Sequence, residues 1–361
     1  MSQVVELELQ ELFEEAESRG SCLVLGENGA ERLRRALCRR VAAGSVVSPA
    51  RGLFATAERW DGLKRDGRAI RIARGLQELH SDWVFCGPTA ALAYGVDVSY
   101  PLLDRVHVAT TLNGHSKDGP IVTRHAILGS AGDPSEIEVV NGLRVTSPGQ
   151  TVFDCLRWAD FAHGLGIADS ALRTGTVARD ELEQLIASSN PCLRGRSRAM
   201  RTLSHADPRA ENGGESIARA RILLLGYVCP ELQVEVPRVA EEGRPYRADF
   251  CWVRSDGLVI LGELDGGGKY VEEELMGGRS LGEVLSDENV RGSRFTLYDV
   301  SLVRFPFDVT ERPAEFRALL DEYGVPMRGS DLALPEGTPQ IPDWEALRRS
   351  RPEPSGTAGS T

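Results

Sequence analysis

The stretch RADFCWVRSDGLVILGELDGGGKY, residues 247–270, decides how the C-terminal half of this 361-residue chain folds. Two apolar runs flank the short polar segment RSDG, which predicts two antiparallel strands joined by a turn. Asp249 lies within the first run, and Glu263 and Asp265 end the second. Carboxylates inside sheet segments are costly unless a partner offsets their charge. The stretch therefore predicts either a functional site or a set of ion pairs.

Pairing of the two strands brings these carboxylates together. Asp249 faces residue 262, 263 or 264, depending on the register, and alternation of side chains places Glu263 and Asp265 on one face. Hard oxygen ligands of this kind suit Mg²⁺ or Mn²⁺. We therefore predict that Asp249, Glu263 and Asp265 bind a metal ion. Glu215, early in the preceding helix, could supply a fourth carboxylate, and Lys269 a positive charge for a phosphate or an attacking water.

These residues resemble the PD-(D/E)XK nuclease superfamily, and most closely its very-short-patch-repair-like group. The resemblance rests on Glu215, on Asp249 and on the run ELDGGGKY that begins at Glu263. It implies Mg²⁺-dependent hydrolysis of phosphodiesters, with Asp249 and Glu263 as metal ligands. It also implies that Glu215 is a helix-borne ligand or orienting group and that Lys269 is the general base or transition-state stabiliser.

The chain departs from the superfamily pattern at one position. Asp265 stands where the superfamily has a lysine, and the lysine is displaced to Lys269, beyond three glycines. The following segment DENVRGSRF, with Glu288 and Arg291, resembles the helix that comes after this strand in such domains. The run VSLVRF then resembles the next strand.

Charge is distributed unevenly in the N-terminal region. Residues 1–20 hold six Glu and one Arg, whereas residues 31–75 hold twelve Lys and Arg against four acids, a net charge of 12 − 4 = +8. The segment GAERLRRALCRRVAAG predicts a helix that ends at Gly44. Its buried stripe is Leu33, Leu37 and Val41, and a different face carries Arg32, Arg35 and Arg39.

The segment SVVSPARGLFAT that follows predicts a hairpin with Arg51 at its tip. A helix followed by a hairpin is the outline of a winged helix. In that arrangement Arg32, Arg35, Arg39 and Arg51 would contact nucleic acid. The alternative is a solvated arginine face on an ordinary surface helix.

The predicted fold class is α/β, in a multi-domain α+β arrangement. We expect a winged-helix-like DNA-binding domain (1–75), an α/β middle domain (76–206) and a restriction-endonuclease-like mixed sheet flanked by helices (207–328). A disordered tail (329–361), with one short helix around Trp344, completes the chain. The middle domain contains an Asn141–Gly142 hairpin signal. It also holds three histidines that we interpret as structural or surface residues, namely His107, His115 and His125.

Composition excludes several other classes of protein. No apolar run is long enough to span a membrane, and the acidic N-terminus does not have the features of a signal peptide. Seven scattered cysteines predict reduced thiols in a cytoplasmic protein. A net charge of −11 disfavours a protein that coats nucleic acid but allows local contact. Neither a P-loop nor a GxSxG or HExxH motif occurs.

From about residue 20 to 325 the chain resembles actinobacterial proteins with an AbiEi-type antitoxin winged helix. The segments that carry this resemblance are RGLF, GPTAALAYG and RVTSPGQTVFDCLRWAD, followed by the nuclease-like end. AbiEi-type antitoxins bind their own promoter and counter a nucleotidyltransferase toxin. The resemblance therefore implies DNA and such a toxin as partners, and it allows a homodimer.

Three interpretations follow from the sequence. The chain is a metal-dependent nuclease guided to DNA by the winged helix, or a regulator whose nuclease-like domain is an inactive scaffold. Alternatively, Asp249, Glu263 and Asp265 are strand-end charges paired with arginines such as Arg247 or Arg291.

Overall fold

The computed structural model of the chain describes residues 3–25, 31–111, 118–128, 137–238, 245–265, 295, 297–329 and 341–349. They form two compact units, 1–208 and 209–361. Each unit combines helices with a sheet, which confirms the predicted multi-domain α/β class. In the part of the chain that is described, no helix is long and apolar enough to cross a bilayer.

The first unit begins with two helices and a small sheet. Its elements are α1 (Gln3–Ser18), β1 (Leu23–Val24), α2 (Glu31–Ala42), β2 (Val46–Ala50) and β3 (Leu53–Thr56). The three strands pair antiparallel in the order β1-β3-β2, so the predicted hairpin is present. Leu33 and Leu37 are buried as predicted, but Val41 is 36% exposed. The predicted stripe is therefore wrong at Val41, which lies in the last turn of α2.

A five-stranded mixed sheet follows in the same unit. Its order is β6-β5-β4-β8-β7, with β4 (Val84–Phe85), β5 (Val106–Thr111), β6 (Val122–Leu128), β7 (Ile137–Val140) and β8 (Leu143–Thr146). The same part of the chain contains three helices, α3 (Ala57–Asp61), α4 (Arg65–Leu79) and α5 (Gly87–Ala93). Ala73 and Leu76 of α4 share one core with Leu53 of the small sheet and Phe85 of the larger one. Apolar burial thus joins the two sheets.

The hairpin between β7 and β8 turns at Asn141 and Gly142, as predicted. Their φ angles are 51° and 82°, which is what a two-residue turn between antiparallel strands requires. Four helices then complete the unit: α6 (Pro148–Trp158), α7 (Phe161–Arg173), α8 (Arg179–Ser188) and α9 (Arg196–Ser204). Arg196 donates to the carbonyl of Ile186 at 2.9 Å and Arg198 to that of Ala159 at 3.1 Å. These arginines therefore satisfy carbonyls at the ends of α8 and α6.

The second unit is a four-stranded mixed sheet in the order β12-β11-β10-β9. Its elements are α10 (Gly213–Leu224), β9 (Glu231–Val236), β10 (Tyr246–Val253), β11 (Val259–Asp265), β12 (Ser301–Pro306), α11 (Phe307–Thr310), α12 (Pro313–Glu322) and α13 (Trp344–Leu347). Helix α13 confirms the short helix predicted around Trp344. Strands β9, β10 and β11 pair antiparallel, whereas β12 is parallel to β11. One face of the sheet packs on α10 and α12, where Ile222 and Phe316 share a core with Phe250.

Candidate functional site

Five carboxylates line one cavity of about 230 Å³ in the second unit. Four of them are the predicted residues, Glu215 from α10, Asp249 from β10, and Glu263 and Asp265 from β11, and the fifth is Glu211. The sequence had predicted that these four residues converge, and the structure brings them to the same place. Lys269, Glu288 and Arg291 lie outside the described residues.

Strand pairing explains why Asp249 and Glu263 meet. Phe250 is paired with Gly262, and the same register extended by one residue sets Asp249 opposite Glu263. Oδ2 of Asp249 accepts a hydrogen bond from the backbone N–H of Leu264 at 2.8 Å. Glu263 is only 5% exposed. Both carboxylates thus lie on paired strands of one hairpin, and side chains on strands are held in more precise positions than side chains on loops.

Glu215 is held at the start of α10 by reciprocal hydrogen bonds with the residues before it. Asn212 caps the helix, because its Oδ1 accepts from the N–H of Glu215 at 3.0 Å. In return, Oε1 of Glu215 accepts from Nδ2 of Asn212 at 2.6 Å, and Oε2 accepts from the N–H of Glu211 at 2.8 Å. Glu215 is therefore oriented by its own helix end.

The charge on Glu215 is disfavoured by its surroundings. The residue is 4% exposed, and burial raises the pKa of its carboxyl to about 7, with the nearby Asp249 carboxylate acting in the same direction. Hydrogen bonds from Glu211 and Gln233 oppose this rise. A cation in the cavity would favour the ionised form of Glu215 and so would lower its pKa.

Gln233 is a residue of this site that sequence reasoning missed. Its Nε2 donates to Oε2 of Glu215 at 3.0 Å, and its backbone has a φ of 53°, which is rare for a residue other than glycine. Leu232 and Val234 lie in different cores, although side chains two apart in a regular strand share a face. Strand β9 therefore changes face at Gln233. The alternating run ELQVEV gave no signal of this change.

Arg304 is a second missed residue, and it comes from the neighbouring parallel strand. The register pairs Glu263 with Arg304, and Nη2 of Arg304 donates to Oδ1 of Asp265 at 2.9 Å. Arg304 lines the same cavity as the four carboxylates. Arg247, which we considered as a partner of the strand carboxylates, forms an ion pair with Glu211. The sequence signal for Arg304 was a basic residue inside the apolar run VSLVRF.

The donor set around this cavity fits a magnesium ion held by few protein ligands. Mg²⁺ is commonly bound by one or two carboxylates, with waters and substrate phosphates completing its coordination. Asp249 and Glu263 line this cavity on the two paired strands, and Asp265, which forms an ion pair with Arg304, lines it as well. Within the described ranges, no group of three or more His, Cys, Asp or Glu residues is arranged to hold a metal ion. The predicted three-ligand site, with Asp265 as the third ligand, stays a prediction.

The predicted nucleic-acid residues lie on the surface of the first unit. Arg32, Arg35 and Arg39 are exposed on α2, and Arg51 is exposed where β2 turns into β3. Arg32 forms an ion pair with Glu8 of α1 at 2.6 Å, and Arg35 pairs with Glu31 within α2 at 3.0 Å. Arg40 pairs with Glu6 of α1. The acidic N-terminal helix thus lies against the arginine-bearing helix, which the sequence did not predict.

Two of the three predicted structural histidines form a stacked pair. Nδ1 of His107 and Nε2 of His125 lie 2.9 Å apart, and the His125 ring stacks on Trp158 with centroids 3.8 Å apart. Burial lowers the pKa of both imidazoles to about 4, so both are neutral at physiological pH. His115 lies outside the described residues.

Comparisons with known proteins agree with part of the predicted resemblance. Residues 83–204 match the protein-family model for the AbiEi antitoxin C-terminal domain. Two relatives described as uncharacterized proteins, from Mycobacterium tuberculosis strains H37Rv and CDC 1551, are each 31% identical to the chain over 176 residues. That alignment covers 47% of this chain and 58% of each relative. The AbiEi resemblance is therefore confirmed for the middle region, whereas none of these matches supports the nuclease resemblance.

Proposed function

We propose that this protein is a DNA-binding regulator of the antitoxin type. The observation that carries the proposal is the exposed arginine face of α2 beside the β2–β3 hairpin, in the same unit as the segment that matches the AbiEi antitoxin domain. The arginines of α2 would contact phosphates and base edges in a groove, and Arg51 would contact the backbone. A local positive face on an acidic chain suits binding at a defined site.

Binding to the DNA upstream of its own gene tests this function. We expect a triple variant, Arg32→Gln, Arg35→Gln and Arg39→Gln, to bind more weakly. It should also reduce the slope of log affinity against log salt by about 0.9 for each phosphate that the variant no longer neutralises. Fluorescence anisotropy across a salt series measures both quantities.

The matched control is Arg254→Gln, Arg312→Gln and Arg328→Gln, which removes the same charge from the second unit. Equal decreases of affinity in the two triple variants would mean that net charge, and not the face of α2, governs binding. The proposal would then fail.

The same proposal includes a toxin partner of the nucleotidyltransferase type. The match over residues 83–204 supports this, because the matching family model describes a domain of AbiEi antitoxins. Co-expression of the chain with a neighbouring nucleotidyltransferase gene should relieve growth arrest. Arrest that persists despite equal toxin levels would exclude the antitoxin role. Light scattering during gel filtration would establish whether the chain is a homodimer.

A second candidate function is Mg²⁺-dependent phosphodiester hydrolysis by the second unit. The cavity lined by Glu215, Asp249, Glu263 and Asp265 supports it. Asp249 and Glu263 would hold Mg²⁺ or Mn²⁺, which when bound would supply Lewis-acid activation of the phosphate and of an attacking water. Glu215 would orient the ligands or hold a proton near neutral pH, since its pKa is raised to about 7. Lys269 remains the proposed general base or transition-state stabiliser.

Cleavage of single- and double-stranded DNA and RNA with Mg²⁺, Mn²⁺ or EDTA tests this second function. We expect Asp249→Ala and Glu263→Ala each to lower metal-dependent cleavage by about 100-fold or more. Glu235→Ala removes an exposed carboxylate from β9 and should leave activity unchanged. Cleavage that survives both site substitutions would assign the activity to a different site or to a contaminant.

A further inference from the structure

The cavity lined by Glu215, Asp249, Glu263 and Asp265 also contains an arginine side chain, that of Arg304, which the sequence pattern did not place there. Arg304 is on β12, beside Glu263 in the parallel register, and its side chain is 29% exposed. It lines the cavity together with Glu215, Asp249 and Glu263. The only other arginine among the described residues of this cavity is Arg247, which is 54% exposed and pairs with Glu211. Arg304 is thus the less exposed of the two cations.

An anion that enters a cavity lined by five carboxylates needs positive charge on the protein as well as any bound cation. A guanidinium supplies such charge together with directed N–H donors that match phosphate oxygens. Arg304 is fixed by its strand and by the 2.9 Å contact with Asp265. Its position therefore does not depend on a long flexible side chain finding its place at the moment of binding.

From this geometry we propose that Arg304 binds a phosphate oxygen of a nucleotide or nucleic acid in the cavity, and that Asp265 positions Arg304 and is not a metal ligand. This inference rests on the second candidate function, because it names the residue that would hold the substrate phosphate there. It assigns to Asp265 a role different from the one predicted from the sequence.

Binding of thymidine 3′,5′-bisphosphate to the full chain tests the proposal without requiring turnover. Isothermal titration calorimetry in the presence of Ca²⁺ should detect binding to the wild type. Arg304→Gln should weaken it by about tenfold or more, whereas Arg304→Lys should retain part of it. Arg254→Gln changes an arginine elsewhere in the unit and should leave it unaltered. Absence of binding to the wild type, or equal binding to Arg304→Gln, would overturn the proposal.

The double variant Asp265→Asn with Arg304→Gln separates phosphate binding from simple neutralisation of Asp265. If Arg304 binds phosphate, the double variant binds the bisphosphate as weakly as Arg304→Gln alone. If Arg304 only neutralises Asp265, the double variant regains wild-type affinity and the proposal fails. Circular dichroism of each variant identifies any that do not fold, and the double variant avoids leaving the Asp265 carboxylate without its partner.

Cleavage assays distinguish this proposal from the function on which it rests. Asp265→Asn should lower kcat without changing the Mg²⁺ concentration that gives half-maximal cleavage. An increase in that concentration would identify Asp265 as a metal ligand and overturn its positioning role. Arginine-dependent binding of the bisphosphate without any cleavage would refute hydrolysis but leave Arg304 as a phosphate-binding residue. Cleavage that is insensitive to Arg304→Gln would support hydrolysis but would refute phosphate binding by Arg304.

Discussion

At the scale of single residues, the second unit concentrates its unusual chemistry in a few side chains. Glu215 is buried and its pKa is raised to about 7, and Gln233 has a left-handed backbone while it donates to Glu215. Strained backbone and shifted carboxyl groups are costly to folding, and such features cluster at functional sites. Both features converge on the cavity that also holds Asp249 and Glu263.

The pKa of Glu215 predicts how stability depends on pH. Because the folded-state pKa is raised above the ordinary value of 4.5, the folded protein retains a proton that the unfolded chain releases. The resulting contribution is fully present below pH 4.5 and is lost as the pH rises to about 7, by about 3 kcal/mol. Glu215→Gln should flatten this dependence in urea unfolding curves measured from pH 4.5 to 8. An unchanged slope would show that Glu215 ionises normally. Glu235→Gln, an exposed change on β9, is the control.

At the scale of elements, the acidic helix α1 and the basic helix α2 form one paired surface. Glu8 contacts Arg32 and Glu6 contacts Arg40, so in the proposed DNA-binding function these carboxylates would compete with phosphates for the guanidiniums. Exposed ion pairs contribute little to folding. We therefore expect these ion pairs to affect the affinity for DNA more than the stability of the fold.

Removing these carboxylates should strengthen binding to DNA. We expect Glu6→Gln and Glu8→Gln to raise affinity several-fold at low salt, with a smaller gain at high salt because screening weakens exposed pairs. Glu11→Gln makes the same charge change at an exposed position of the same helix. A gain as large for Glu11→Gln would attribute the effect to net charge and not to competition for Arg32 and Arg40. Anisotropy titrations at two salt concentrations measure the difference.

Several elements could be predicted from the sequence because their signals are local. The Asn141–Gly142 turn, the β2–β3 hairpin and the strand pair that carries Asp249 and Glu263 follow from turn residues and alternation. The short turn of that pair limits Asp249 to facing residue 262, 263 or 264, which is why the sequence could predict that the carboxylates lie close together but not their exact register. Arg304 could not be placed, because parallel pairing joins residues through a distant part of the chain and leaves no local pattern. The change of face at Gln233 is likewise set by tertiary packing.

At the scale of the whole molecule, the chain contains two units with separate apolar cores. Phe85 belongs to a core of the first unit and Phe250 to a core of the second. A core that lies within one unit stabilises that unit against unfolding independently of the other unit. Unfolding of the entire chain therefore need not be a single transition.

Calorimetry of the full chain should therefore resolve two unfolding transitions. Phe85→Ala should lower the temperature of one, and Phe250→Ala that of the other, each by removing about 3–5 kcal/mol of packing. Both phenylalanines are fully buried, so the two substitutions are matched in type and burial. A single transition that both variants shift equally would show that the units unfold together.

The parallel position of β12 has a consequence for how the protein is made. Asp265 and Arg304 are 39 residues apart in the chain, so at about 5–20 residues per second the ribosome adds the arginine about 2–8 s after the aspartate. Throughout that interval the nascent hairpin of β10 and β11 carries its carboxylates without the guanidinium that pairs with Asp265. The backbone edge of β11 that pairs with β12 also has no partner strand during that interval. We therefore expect the sheet of the second unit to close only after the ribosome has moved past Pro306.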